Sequence, residues 1–388
     1  MPGPGAVGGE RDVALKGESG RLTALDALRG LAVAGMILVN SPGDWRISWP
    51  QLHHADWHGW TLADFVFPGF LFSAGMALGL SFPRTVDGAL WHKVLKRVAL
   101  LMLIGLALNL LPDLNLATLR IPGILQRIAL CYLLGLAIGV ATGRRDAAGR
   151  VTFSPEWLGV AAAGLLLLYW VLLATVGGGQ LDPAGNLGAR IDRAVFTVSH
   201  LWLYGTDASG AVVYDPEGLL STIPATANLL AGMIAGIAWR RRGEGAWPWL
   251  LGAGVALLVL GLALDPWVPI NKRIWTPSFA LLSIGVALAV LVLLGALLRA
   301  RPGRWVAAPL MVLGGNAILA FILSQLLGVA GGIGWLPGGQ SPQGWGFGVA
   351  KSIIADPYLA SFACAVAVLA LVVLILVPLQ RRGIHLRL

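Results

Sequence analysis

The sequence predicts an all-α, polytopic integral membrane protein, a helical bundle of about ten transmembrane helices with both termini in the cytoplasm. Three observations carry this. The chain of 388 residues is 57% hydrophobic and only 12% charged, with a mean hydropathy of +0.76, so it has too little polar surface to cover a water-soluble fold. Its apolar residues fall into windows long enough to cross ~30 Å of hydrocarbon. These lie near 24–40, 61–82, 94–112, 121–142, 157–176, 218–239, 247–264, 275–298, 305–329 and 355–379. Finally, most of the basic residues cluster on one side of a ten-span arrangement: Arg11, Lys16 and Arg21; Arg84, Lys93, Lys96 and Arg97; Arg144, Arg145 and Arg150; Arg240, Arg241 and Arg242; Arg299, Arg301 and Arg304; Arg381, Arg382 and Arg387. By the positive-inside rule that side is cytoplasmic.

The net charge of +9 therefore reports topology, and nucleic acid is not an expected partner. Residues 1–20 are Gly-rich and polar and lack an apolar core, which predicts a disordered cytoplasmic tail ahead of an uncleaved first span rather than a signal peptide. The remainder, 21–388, reads as a single transmembrane domain. The two cysteines, Cys131 and Cys364, sit inside apolar stretches and are expected to pack as small hydrophobes. On the side poor in basic residues lie the segments 41–60, 177–217, 265–274 and 330–348, candidates for roofing a site.

A strongly polar side chain within a span costs several kcal/mol unless it meets a partner or water, so each one is a functional candidate. Asp26 and Arg29 share a helix face at the start of the first span, as an intrahelical ion pair with a snorkelling Arg or as part of a donor-binding site. Asn40 closes that span. A loop follows with His53, His54 and His58, whose spacing fits no closed zinc site and which has no Cys or His-Glu-x-x-His partner, so no metal is expected. A histidine at a membrane surface is better suited to act as a base or nucleophile, against the plainer reading of a loop residue among interfacial tryptophans. Asp64, entering the second span, can orient an imidazole or simply accept bonds at a helix start. Gln126 and Arg127 lie deep in the fourth span, where Arg127 needs an acid such as Asp64. Glu217, Thr222, Trp275, Thr276, Gln325 and Asp356 lie toward the same face, and Asn316 near mid-membrane.

Several blocks, in order along most of the chain, resemble the heparan-α-glucosaminide N-acetyltransferase family and its bacterial homologues. They are Arg21 to Gly30 (RLTALDALRG), Val39-Asn40, His54 to Pro68 (HADWHGWTLADFVFP), Gly123 to Ala129 (GILQRIA), Asp215 to Pro224 (DPEGLLSTIP), Trp275 to Phe279 (WTPSF) and Gly314 to Ala317 (GGNA). The resemblance implies an outward-facing histidine that takes part in acetyl transfer from acetyl-CoA, with an asparagine nearby. These map onto His54 and Asn40. The match departs from the family pattern in a longer loop between the two and in His58, where Asn is usual.

The expected protein is thus an acetyltransferase of the bacterial inner membrane that moves an acetyl group from cytoplasmic acetyl-CoA to the amine of a glucosamine-type sugar on the outer side. His54, Asn40 and Asp64 are the expected catalytic residues. Arg29, Lys96, Arg97 and Arg127 are expected to hold the donor, and Asp26, Gln126, Glu217, Trp275 and Asn316 the acceptor. Expected partners are membrane lipid, acetyl-CoA and an amino sugar or short amino-sugar oligosaccharide, with a homodimer left open. An amino-sugar permease and an acyltransferase-3-like O-acyltransferase of envelope glycans are the alternatives, since the opening Asp-x-x-Arg helix also resembles the latter family.

Overall fold

The computed structural model describes residues 23–384, so the tail expected at 1–20 lies outside the described residues. The chain is an all-α, multi-pass membrane protein. Its helices are α1 (Thr23–Asn40), α2 (Val66–Ser81), α3 (Gly88–Leu110), α4 (Ile124–Ala141), α5 (Pro155–Ala174), α6 (Leu187–Phe196), α7 (Thr222–Arg242), α8 (Trp247–Leu264), α9 (Pro277–Arg299), α10 (Arg301–Gly315), α11 (Ala317–Gly332), α12 (Pro342–Ile353) and α13 (Pro357–Arg381). Among the described residues, seven helical stretches are long and apolar enough to cross a membrane, or up to eight if the bent α10–α11 pair is one span, rather than the ten read from the sequence. The difference has physical causes. Thr222–Leu264 counts once although it contains both α7 and α8. The first half of α3 carries Lys93, Lys96 and Arg97, and α3 is not among the counted spans.

Helix starts follow local chemistry. Pro155, Pro277 and Pro357 occupy first-turn positions, where a missing N–H costs nothing. Asp87 accepts from the Leu90 amide at 2.8 Å to cap α3, and Asp356, a polar candidate in the sequence, caps α13 through the Leu359 amide at 2.8 Å. The Gly43 amide donates to the Ser361 carbonyl at 3.1 Å, so α13 starts where α1 ends and Thr23 and Arg381 lie toward the same end of the bundle. At that end the α2–α3 and α4–α5 connections are tied by a small antiparallel sheet of β1 (Arg84–Thr85), β2 (Arg144–Arg145) and β3 (Arg150–Thr152), in the order β1-β3-β2.

In lipid, apolar surface gives helices no reason to associate, and close packing of backbones supplies it. Here α2 runs against α7 through Gly75 and Gly79 on one helix and Gly232 and Gly236 on the other. A methyl group at any of the four would land on the backbone of the facing helix. Gly30 and Gly314 meet α10 and α1 in the same manner, and Gly261 and Gly285 join α8 to α9. Between α10 and α11 the axis turns by 85° at Asn316, whose side-chain amide is buried and has no hydrogen-bond partner among the described residues.

Gly232→Ala is expected to cost about 1–3 kcal/mol by overpacking, read as a lower thermal midpoint of the purified protein in detergent. Gly164→Ala on the exposed face of α5, where nothing faces the added methyl, should leave the midpoint unchanged or raise it.

Candidate active site

Asp64 begins the site. Thr61 and Asp64 form a capping box at the turn that opens α2. The Asp64 carboxylate is completely buried, and it accepts from the Thr61 amide at 2.9 Å, the Thr61 hydroxyl at 3.1 Å and the Ala55 amide at 3.2 Å. Its other oxygen lies 2.8 Å from Nδ1 of His54. An ionised carboxylate only accepts, so Nδ1 carries the proton and Nε2 keeps its lone pair. This is the orienting arrangement that a histidine nucleophile or base requires.

The third member comes from the 265–276 loop. Asn271 closes a tight turn: its side-chain oxygen accepts from the Ile274 amide at 3.1 Å, and its amide donates to the Thr276 hydroxyl at 3.0 Å. Within this turn Trp275 is held at φ 53°, a backbone conformation that a bulky residue adopts only when its surroundings enforce it. Two links join the turn to the histidine loop, from the Gly59 amide to the Ile270 carbonyl at 2.7 Å and from Asn271 Nδ2 to His58 Nδ1 at 3.3 Å. The turn presents Lys272, buried, with Nζ 3.9 Å from Asp64 and 3.2 Å from each of Nδ1 and Nε2 of His54. A donor on the in-plane lone pair of one ring nitrogen would stand well beyond that distance from the other. One wedged in the plane between them would collide with the ring carbon. The ammonium therefore lies over a face of the imidazole, and the Nε2 lone pair stays open.

Burial, and then the charge of Lys272, hold the pKa of His54 below its ordinary value against the pull of Asp64, so the ring is neutral at pH 7. Burial lowers Lys272 to about 8, against Asp64 and Glu217, which favour its charge.

Arg120 forms the next layer. It grips Asp215 through Nε at 2.8 Å and Nη2 at 2.6 Å, and Nη2 also reaches Glu217 at 2.5 Å. Of the expected acceptor residues, Glu217 thus lies in this layer, near enough to Lys272 to bias its charge. Asn40 ends α1 and, among the described residues, makes no hydrogen bond to His54, Asp64 or Lys272. Arg127 does not pair with Asp64, which is taken by His54. Instead it donates to the Gly218 carbonyl at 2.8 Å and the Ser221 hydroxyl at 2.5 Å, and lies 5.3 Å from the ring centre of Trp275. Trp275 is fully buried beneath the site, with its indole N–H on Asn228 at 3.1 Å, and Gln126 donates to the Ile121 carbonyl at 3.1 Å, so both shape the core.

The remaining candidates gather at the opposite end, around a cavity of about 470 Å³ lined by Asp26, Arg29, Arg84, Arg97, Tyr132 and the segments flanking Asn316, among others. Asp26 lies here, 3.3 Å from Arg29 and away from His54. Arg97 stacks over Tyr132 at 4.5 Å, and its buried Nε has no partner among the described residues. Lys96, one position away, faces outward from α3, and the cavity-lining place expected for it is held by Arg84. Between the cavity and the histidine end, Met36, Phe67, Phe70, Leu125, Ile318 and Phe321 close to an apolar neck with room for about 10 Å³. Among the described residues no group of three or more His, Cys, Asp or Glu is arranged to hold a metal ion.

Sequence reading missed Lys272, Arg120 and Asp215. Lys272 and Arg273 were visible as two adjacent cations on the face otherwise poor in them, directly before the Trp275 block.

Residues 21–182 match the family described as "Heparan-alpha-glucosaminide N-acetyltransferase, catalytic". The human heparan-alpha-glucosaminide N-acetyltransferase is 28% identical over 350 residues, covering 78% of this chain and 52% of the human protein. The mouse protein is 27% identical over 368 residues, covering 80% and 54%. The chain spans about half the length of these curated relatives. The segment carrying His54, Asp64 and the Asp26–Arg29 helix is thus similar to the catalytic part of the heparan-alpha-glucosaminide N-acetyltransferase family, with likeness to its curated members running on through most of the chain.

Proposed function

We propose that this protein is a transmembrane acetyltransferase that takes an acetyl group from acetyl-CoA at the basic end of the bundle and delivers it to the amine of a glucosamine-type sugar at the histidine end. The observation that carries this reading is the buried Asp64–His54 pair with an open Nε2, set within the family segment and across an apolar neck from a cavity lined by Arg29, Arg84 and Arg97. The guanidinium groups suit the anionic nucleotide part of the donor, and the unpartnered Nε of Arg97 is a donor awaiting an acceptor. To bring the thioester to His54, the slim pantetheine arm must part the side chains of the neck, which leave room for about one water molecule. The positive-inside bias supports a cytoplasmic side for the basic end, in keeping with a protein of the bacterial inner membrane.

Nε2 attacks the thioester carbonyl, the carbon–sulfur bond breaks, and the thiolate leaves with the CoA. Asp64 stabilises the positive charge that develops on the ring. Lys272, 3.2 Å from Nε2, balances the oxyanion. The sugar amine then attacks the acetyl carbon, the carbon–nitrogen bond to His54 breaks and returns the neutral ring, and the amine gives up one proton to solvent to leave the amide. Glu217 and the Arg120–Asp215 pair lie in the layer that faces the incoming sugar.

Three outcomes check this. With labelled acetyl-CoA and glucosamine in detergent, His54→Ala is expected to lower transfer by about 10²–10⁴-fold, and undiminished transfer would remove His54 from the chemistry. Arg97→Ala should raise the KM for acetyl-CoA about tenfold, equivalent to ~1.4 kcal/mol of binding, with kcat little changed. Ile318→Trp, which fills the neck, should leave acetyl-CoA able to stabilise the protein against heat while transfer is lost.

The pH dependence has a definite sign. The nucleophile must be neutral and the lysine charged, so kcat/KM should fall with acid only below the ordinary histidine range and fall with base near pH 8. Lys272→Arg should remove the alkaline limb, because arginine stays charged. An alkaline limb unmoved by that substitution would assign it to another group.

A further inference from the structure

Lys272 stands where a second nucleophile would stand. An N-acetylated imidazole is flat, because the acetyl group conjugates with the ring, so whatever removes the acetyl must approach from above or below that plane. Lys272 already occupies a face, 3.2 Å from Nε2 and so on the side from which the acetyl carbon one bond away can be attacked. Its aliphatic stem is buried, and the Asn271–Thr276 turn and the Gly59–Ile270 link hold the loop against the histidine segment. Proximity is thus established by the fold and not by a bound substrate.

From this geometry we infer that Lys272 is a self-acetylation site, the place where an acetyl group on His54 is captured when no amino sugar arrives. This rests on the proposed function, since it needs the acetyl-histidine. The step balances without a further reactant. Neutral Nζ attacks the acetyl carbon, the bond from that carbon to Nε2 breaks, the imidazole is restored, and one proton leaves Nζ for solvent. The product is an amide, which no group in the site is placed to cleave. It removes the cation over the ring, so the modified enzyme is a dead end. The sugar amine and Lys272 compete for the same carbon, and an occupied acceptor site protects the enzyme.

The charges facing Nζ set the rate. His54 and Asp64 lie against it, Glu217 favours its protonated form, and Arg273 and Arg127 oppose that form. With Lys272 at about 8, the neutral fraction rises about tenfold per pH unit below that value and levels above it. Capture of each acetyl group on His54 therefore rises toward pH 8, and above that value loss of the ammonium slows formation of the acetyl-histidine itself.

The test is intact-protein and peptide mass spectrometry on the full-length protein in detergent, incubated with acetyl-CoA alone and with added glucosamine. The sugar product is measured in the same samples. The expected result is one acetyl group on Lys272, gained faster than on the exposed Lys93, Lys96 and Lys351, increasing from pH 6.5 to 8 and suppressed by glucosamine. Loss of transfer activity should follow the same time course. His54→Gln should abolish the adduct, and Lys272→Arg should make the protein resistant to inactivation by acetyl-CoA alone. Sugar acetylation without an adduct on Lys272 overturns this proposal and leaves the proposed function standing. Absence of both products overturns the two together. An adduct formed equally fast in folded His54→Gln protein, or equally on the exposed lysines, shows attack on acetyl-CoA from solution and overturns capture from His54.

Discussion

The site depends on one buried charge. Asp64 has no exposed surface, and a carboxylate removed from water is tolerable only when its lone pairs are all used. Its partners are two backbone amides, a hydroxyl, an imidazole and a nearby ammonium. They come from three places in the chain: the histidine loop, the first turn of the second span and the turn before α9. The carboxylate thus fixes the entry of a helix, the tautomer of His54 and the register of the Lys272 loop in one stroke. Removing it would leave three elements without their common anchor, so a loss of activity on its substitution would reflect lost geometry as much as lost charge.

The rest of the bundle can be understood as the means of holding that anchor opposite the basic cavity. The glycine contacts of α2 with α7 bring backbones together and make the wall behind the site rigid. Trp275, Phe67 and Phe279 fill the space beneath it edge to face. Arg127 then packs its guanidinium on Trp275 and donates into the Gly218–Ser221 turn, which carries the segment containing Asp215 and Glu217 into place. A charge read from sequence as a candidate for binding the donor is in this way a brace for the loop that carries Asp215 and Glu217.

How much of this was legible in the sequence depended on the kind of signal. Apolar windows located the helices well, because lipid demands them, although the count of spans differs where basic residues invade α3 and where α10 and α11 bend. His54 and Asp64 were legible as a pair, since ten residues of loop and turn separate them and their contact is nearly local. Lys272 was not. It is brought to His54 by a tertiary contact across more than half the chain, and no periodicity reports such a contact. Lys96 and Arg97 differ only in helical phase. The sequence window shows both as basic, and the packing of α3 against α4 decides that Arg97 turns in and Lys96 turns out.

The bend at Asn316 has an electrical consequence. At the 85° break the buried side-chain amide of Asn316 has no hydrogen-bond partner among the described residues, and hydrocarbon cannot satisfy such a group. Water admitted from the cavity to that depth would leave only the short apolar constriction ringed by Phe70 and Phe321 as insulation, so that the transmembrane voltage would drop across that length instead of the full thickness of the bilayer.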